Sequence, residues 1–344
     1  MSYPSPLTDF VPAFIDNNIP IFFTVDANFV PYLSVALESI LSNISSAFNY
    51  DIVIISDADM PGMAKYLVRQ GTGYTNVSIR ILVIDIPQCA EWTTTNRISK
   101  LTYYRLFFPG LFPAYGKILF LDSDLVVLAN PAELYHSELH GKAIAGVLDP
   151  ILNLSIQFSL HNRAYLSEYM GMSNFSQYIN AGVIVMDLDK IRQRGFEAEF
   201  IKLGPLANEV VDQHIINAAC TGFIALLPPE WNIMTCALNS PPSDAFDSAY
   251  HERYLATATG SVAPKIVHFA GDRKPWNILA MPFAAEWWQF ARTSPFYESL
   301  LSNAIAAKLQ KTSPLVKAWK KIRYVYRVVT KLLRKLLAPL KNTR

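Results

Sequence analysis

Residues 117–128 read KILFLDSDLVVL. An unbroken apolar run, Ile118 to Leu121, meets Asp122-Ser123-Asp124 and then resumes as Leu125-Val126-Val127. Runs without polar alternation suit strands buried on both faces of a mostly parallel sheet. Residues two apart on extended backbone point the same way, so a strand over 117–121 delivers both carboxylates side by side at its end. The carboxyl end of such a sheet is where open α/β folds bind ligands. Two convergent carboxylates can hold a hard divalent cation, which in turn can bridge diphosphate oxygens. Taken alone, an acidic pair separated by one residue is also common in turns.

Outward from this stretch, apolar β-branched runs alternate with helical spacing. Strands are expected over 19–25, 52–55 and 77–84, with helices over 31–41, 60–69 and 98–107 between and after them. Pro31 stands at the tolerated start of the first helix. Further strands are expected over 143–147, 182–186, 223–226 and 265–268, and further helices over 211–219 and 283–291. The alternation predicts an α/β fold with a mostly parallel central sheet flanked by helices, in one domain. The expected divisions are a loose Pro-, Ser- and Asn-rich lead-in over 1–18, a body over 19–295, and a helical tail over 296–344.

Composition narrows the function classes. The chain has 344 residues, 51% of them apolar, enough for a substantial core. Net charge is +2, but residues 308–344 hold twelve of the 30 basic residues and none of the 28 acidic ones. An acidic body with a basic tail argues against a general nucleic-acid-binding surface. Cys89, Cys220 and Cys236 share no metal-ligand or redox spacing and read as buried reduced thiols. The first basic residue is Lys65, so no cationic signal start is present, and no charge-free apolar run is long enough to span a bilayer. A cytoplasmic body is expected. An aspartyl-nucleophile phosphatase also places two Asp after an apolar strand, but Leu125-Val126 stands where that pattern wants Gly-Thr.

The ordered segments IFFTVDANFVPYLSVALESIL, ISKLTYYRLFFPGLFP, KILFLDSDLVV, YINAGVIVMDL, VDQHIIN and IVHFAGDRKPWN resemble the retaining glycosyltransferase family 8. That family includes bacterial lipopolysaccharide galactosyl- and glucosyltransferases and glycogenin. The resemblance implies a GT-A type, Rossmann-like fold. It implies that Thr24, Asp26 and Asn28 contact the nucleoside, although ordinary turn chemistry accounts for the three equally well. Arg105 would reach the diphosphate or donor sugar, with the bidentate geometry that suits phosphate. Asp149 and Asn180 would bind sugar hydroxyls. His268 becomes the third metal ligand with Asp122 and Asp124, a set that suits Mn²⁺ somewhat better than Mg²⁺. Gly271 allows close backbone approach to phosphate, and Lys274 supplies a point charge.

The implied chemistry is transfer of galactose or glucose from a UDP-sugar to a saccharide or glycolipid acceptor, with retention. Covalent double displacement needs a carboxylate nucleophile. Gln213 stands where the family places an amide on the reacting face, so front-face displacement is favoured, with Asp212 binding the donor sugar. His214 departs from relatives that carry a third acidic residue there. The segment over 152–175 is read as shaping the acceptor side. A competing reading is a nucleotide-sugar-binding, membrane-tethered module without turnover.

Beyond residue 314, Leu315, Trp319, Ile322, Val325, Tyr326 and Val329 recur at helical spacing, with Lys317, Lys320, Lys321 and Arg327 on the other side. This pattern predicts a basic amphipathic helix lying on an anionic membrane surface, which places the protein at the inner face of the cytoplasmic membrane. A helix packed on the body with a solvated basic face is the alternative.

Overall fold

The computed structural model describes residues 4–94, 99–207, 210–238 and 248–312. The tail expected to meet a membrane, from Leu315 onward, lies outside the described residues.

Among the described residues, ten strands form two sheets. In chain order they are β1 (Asn18–Thr24), β2 (Asn49–Ser56), β3 (Val77–Val83), β4 (Lys117–Leu121), β5 (Leu125–Val127), β6 (Ile144–Leu148), β7 (Ile179–Asp187), β8 (Ile224–Leu226), β9 (Ile233–Met234) and β10 (Ile266–His268). The larger sheet has the order β3-β2-β1-β4-β7-β6-β8. β3, β2, β1 and β4 run parallel, β7 runs against both β4 and β6, and β8 is parallel to β6. The smaller sheet, β5-β10-β9, sits over the carboxyl end of β4 because only Asp122-Ser123-Asp124 separates β4 from β5. This is the mostly parallel α/β architecture expected from the sequence.

The continuous apolar runs are buried on both faces, as their lack of alternation required. Phe22, Val53, Ile55, Ile118 and Phe120 enter one core. Their neighbours Ile21, Phe23, Ile52, Ile54, Leu119 and Leu121 enter the other. Helix α1 (Val30–Leu41) starts one residue before the expected position, still with Pro31 where no intrahelical N–H is needed. Helix α2 (Pro61–Gln70) likewise begins on a proline.

Three expectations need correction. The helix expected before β4 is a 3-10 helix, Lys100–Phe107, followed by the short α-helix Phe108–Leu111. Cys89 and Cys220 are buried, but Cys236 is exposed. The lead-in over 4–17 has no helix or strand, yet it is tied down. Asp51, wholly buried on β2, accepts from the Ala13 amide at 3.0 Å, and Arg80 donates to the Val11 carbonyl at 2.9 Å. Phe10 lies under the Arg80 guanidinium at 4.0 Å and stacks on Tyr115. Among the described residues, no helix is long and apolar enough to cross a membrane.

Candidate active site

A cleft of about 910 Å³ opens at the carboxyl end of β1 and β4, beneath the small sheet. It is lined by Thr24, Asp26, Asn28, Arg105, Asp122, Asp124, Asn180, Asp212, Gln213, His268, Gly271 and Lys274. Of the site residues that the resemblance implied, only Asp149 is not at its surface. That carboxylate lies one layer behind, where it accepts from Gln213 Nε2 at 3.0 Å and Asn180 Nδ2 at 3.2 Å.

Backbone bonds on either side of the acidic pair fix its place. The Asp122 amide donates to Gly182 O on β7 at 2.8 Å, and the Phe269 amide, just past β10, donates to Asp124 O at 2.9 Å. The two sheets therefore clamp the loop that carries both carboxylates. His268, the last residue of β10, brings Nε2 to 3.2 Å from Asp124 Oδ1 and 3.7 Å from Asp122 Oδ2. One ligand atom from each residue lies within 4.8 Å of the others. Two carboxylates and an imidazole at that spacing fit a divalent cation of the first transition row or magnesium. The cradle is shaped for it: a Cβ on Gly182 would stand 2.3 Å from His268 Cε1 and 2.7 Å from Asp122 Oδ2.

Charge is balanced around this trio by two cations. Lys274 donates to Asp124 Oδ2, and to the Phe269 carbonyl at 2.6 Å. An ammonium has three donors, so one N–H remains for a ligand. Burial opposes ionisation of Asp124, yet Lys274 and His268 outweigh it and hold the carboxyl well below the usual range. Arg105 is buried, its guanidinium 3.7 Å above the Phe120 ring. It donates to Ala181 O at 2.6 Å, Asp122 Oδ1 at 2.9 Å, Thr102 O at 3.1 Å and Thr102 Oγ1 at 3.4 Å. Four of its five N–H groups are thus committed to the protein. Arg105 chiefly organises the acidic wall, with one N–H left over, whereas the sequence reading gave it wholly to the donor.

Asp212 opens helix Val211–Ala219 and is buried. Thr102 Oγ1 donates to its Oδ1 at 2.6 Å. Its Oδ2 lies 3.1 Å from Arg105 Nε but accepts no hydrogen bond, because that N–H turns to the Thr102 carbonyl. Burial raises the Asp212 carboxyl above its ordinary value against the pull of Arg105 and Thr102. That oxygen is covered and held by charge against Arg105, so Asp212 braces the cleft wall from within. Its neighbour Gln213 is fully engaged. Oε1 accepts from Asn180 Nδ2 at 3.0 Å and the Ala181 amide at 3.1 Å, while Nε2 reaches Asp149 and, at 3.4 Å, Tyr178 Oη.

His214 points away from the cleft. Tyr178 Oη and His214 Nδ1 are 2.5 Å apart, and burial lowers the imidazole to about 4. Burial also keeps the Tyr178 hydroxyl protonated far into the alkaline range. Both groups are therefore neutral, and the ring tautomer sets which of them donates. Asp26 does act as turn chemistry: its Oδ1 caps the amides of Asn28 at 2.8 Å and Phe29 at 3.2 Å, at the cleft edge.

Sequence reasoning missed Thr102, Gly182, Asn232 and the stacked pair Tyr32 and Trp276, whose rings lie 3.9 Å apart beside the cleft. Thr102 stands three residues before Arg105, one 3-10 turn, a spacing visible only once that helix type is known. Among the described residues, none over 152–175 lines the cleft. That segment instead forms helices Pro150–Phe158 and Leu160–Ala164 and a π turn, Tyr165–Tyr169, with Phe158, Leu160 and Tyr169 exposed.

Comparison with known proteins matches residues 20–280 to the family described as Glycosyl transferase family 8. The chain is 26% identical over 274 residues to the lipopolysaccharide 1,2-glucosyltransferase of Escherichia coli, covering 78% of this chain and 76% of that protein. It is 26% identical over 262 residues to general stress protein A of Bacillus subtilis, covering 73% and 85% respectively. Among solved structures, the apo bifunctional glycosyltransferase WbbM aligns with a TM-score of 0.74 at 27% identity, over 86% of this chain and 53% of WbbM. The galactosyltransferase LgtC, solved with donor and acceptor sugar analogues, gives 0.67 at 21% identity, over 80% of this chain and 96% of LgtC, a likeness of fold. The family match covers well over half of the sequence and encloses every residue of the acidic cleft, and the chain belongs to glycosyl transferase family 8.

Proposed function

We propose that this protein is a metal-dependent retaining hexosyltransferase that moves galactose or glucose from a UDP-sugar to a glycan or lipid-linked saccharide. The observation that carries the reading is the trio Asp122, Asp124 and His268, with ligand atoms within 4.8 Å of one another at the floor of a nucleotide-sized cleft. These three residues would hold Mn²⁺ or Mg²⁺, which when bound supplies positive charge against the donor diphosphate.

The remaining steps belong to the chain itself. Thr24, Asp26 and Asn28 line the cleft beside β1, where a nucleoside would sit. Gly271 has φ +79°, a conformation glycine adopts without strain, in the loop that leads to Lys274. The free N–H of Lys274 faces the departing phosphate, a donor placed where negative charge develops. Asp212, a lining residue of the cleft, binds a hydroxyl of the donor sugar, and Asn180 closes the same wall with Asp149 behind it. Both acceptor lone pairs of Gln213 Oε1 are taken, so the amide is a rigid neutral wall and no nucleophile. The acceptor oxygen then attacks the anomeric carbon on the face the diphosphate leaves. The new C–O bond forms as the C–O bond to phosphate breaks, and the acceptor proton passes to the leaving phosphate oxygen.

We further propose that residues 19–295 form the catalytic unit and that the basic residues from Lys308 onward tether it to an anionic membrane face. The support is compositional: twelve Lys or Arg with no Asp or Glu over 308–344. Purified protein with Mn²⁺, a panel of UDP-sugars and an acceptor-rich membrane extract should release UDP. Release should stop with EDTA and fall at least a hundredfold in Asp124→Asn. Metal-independent release would overturn the mechanism, and no release with any donor would favour a binding module without turnover.

A further inference from the structure

Asn232 lies between the 3-10 helix Pro229–Trp231 and β9, wholly buried. Nothing in the reaction outlined above uses it. Its Oδ1 is 3.1 Å from His268 Nδ1, and its Nδ2 is 3.0 Å from Asn180 Oδ1. It therefore joins the proposed metal ligand to the amide wall of Asn180 and Gln213.

The polarity of this chain of bonds follows from the backbone. The Gly182 amide donates to one side-chain atom of Asn180 at 3.0 Å, so that atom is the oxygen. The other Asn180 atom is the nitrogen, which suits its contacts with the Asp149 carboxylate and Gln213 Oε1. The Ala181 amide fixes Gln213 Oε1 as an oxygen in the same way. An oxygen on Asn180 requires the facing atom of Asn232 to be its nitrogen, and the remaining Asn232 atom is then an oxygen. That oxygen can only accept, so His268 must carry a proton on Nδ1. Nε2 is left as the nitrogen turned to Asp122 and Asp124.

We infer that Asn232 is a positioning residue that locks the His268 imidazole as the Nδ1–H tautomer, presents Nε2 to the cation, and couples that ligand to the orientation of Asn180 and Gln213. A hydrogen bond to the far nitrogen of a ligating imidazole fixes both ring angle and tautomer, and removing it commonly weakens metal binding ten- to a hundredfold. Asn232 differs from a plain outer partner because its two ends serve two subsites. The inference rests on the metal site proposed above.

Two substitutions separate the two ends. Asn232→Leu removes both contacts. Asn232→Asp keeps an acceptor for His268 Nδ1–H but sets an oxygen against Asn180 Oδ1. Mn²⁺ binding is followed by loss of the free-ion EPR signal, with and without saturating UDP, on the full chain. Binding to the parent should vanish in Asp124→Asn and His268→Ala; if it does not, the metal site itself is misassigned and the inference falls with it. Given that control, Asn232→Leu should raise the Mn²⁺ Kd at least tenfold. Asn232→Asp should stay within about threefold of the parent Kd yet lose more than tenfold in kcat at saturating Mn²⁺. Parent-like Mn²⁺ affinity in a folded Asn232→Leu protein would refute the role. Should that variant not fold, nitrogen NMR of ¹⁵N-histidine-labelled parent loaded with Mg²⁺, assigned with His268→Ala, decides the question. A proton on Nδ1 of His268 supports the inference, and a proton on Nε2 overturns it.

Discussion

His214 shows how one residue can be read in kind but not in role. Its place in VDQHIIN marks it as a departure from an acidic neighbour, and the structure explains what stands there instead. The imidazole is hydrogen-bonded to Tyr178 in a buried layer behind Gln213. Burial lowers it to about 4, while in the unfolded chain it titrates at an ordinary value near 6.5. Between those values the unfolded chain binds more protons than the folded one, so stability falls as pH drops through that window. Unfolding by urea at pH 6.5 and pH 5 should show a loss of about 2 kcal/mol attributable to this group. His214→Gln, which can still hydrogen-bond to Tyr178, should flatten that slope; an unchanged slope would show that the histidine does not titrate between the two states. At this same scale the acidic pair stood out through its strand context and His268 and Lys274 through the resemblance, and the structure brings all four to one cleft wall. Asn232 was not, since a single amide between Trp231 and Ile233 has neither charge nor period to mark it. Asp149 was legible as part of the site but not as lying behind its wall, because depth is set by β6 and β7 packing together and leaves no trace in the local sequence.

Among the elements, β7 does the most to assemble the cleft. Its first residues supply the Ala181 and Gly182 amides that orient Gln213 and Asn180, the carbonyl that anchors Asp122, and the carbonyl that anchors Arg105. Gly182 also leaves the space into which His268 and Asp122 fit. Gly182→Ala should therefore push at least one ligand aside, raising the Mn²⁺ Kd more than tenfold and costing about 1–3 kcal/mol of stability by overpacking. Calorimetric titration with Mn²⁺ checks the first and denaturant melts the second; parent-like affinity would mean the cradle is looser than the contacts at 2.3 and 2.7 Å indicate. The long strands were readable because KILFL and DIVIIS are continuous apolar runs. β5 and β9 were not: β5 follows β4 after only three residues, and β9 has only two. The 3-10 character of Lys100–Phe107 also escaped notice, since its apolar spacing is compatible with an α-helix and only the backbone distinguishes them.

Over the whole molecule, two long-range facts stand out: the split of charge and the direction of the strands. The charge split is written in the sequence, and its consequence is testable on the intact protein. Removing residues 312–344 should abolish sedimentation with vesicles of anionic lipid while leaving UDP-sugar binding unchanged. Undiminished sedimentation would assign the attachment to the body. Strand direction was not readable, since nothing in YINAGVIVMDL says which way the strand runs.

That reversal of β7 has a topological outcome. β6 ends and β7 begins at the same rim, so residues 149–178 leave the sheet and re-enter it beside the cleft. Their neck is closed by the pairing of Leu148 with Ile179 and by the Asp149 amide on the Tyr178 carbonyl at 3.0 Å. Closure entropy grows by only about 0.6 kcal/mol for each doubling of such a detour's length, so added length is tolerated where the detour does not pack on the body. The detour is in effect a cassette. Ile156, Leu166, Met170 and Met172 hold it to the main core, so its contents can change at exposed positions such as Phe158, Leu160 and Tyr169 while the strands that hold the carboxylates keep their register.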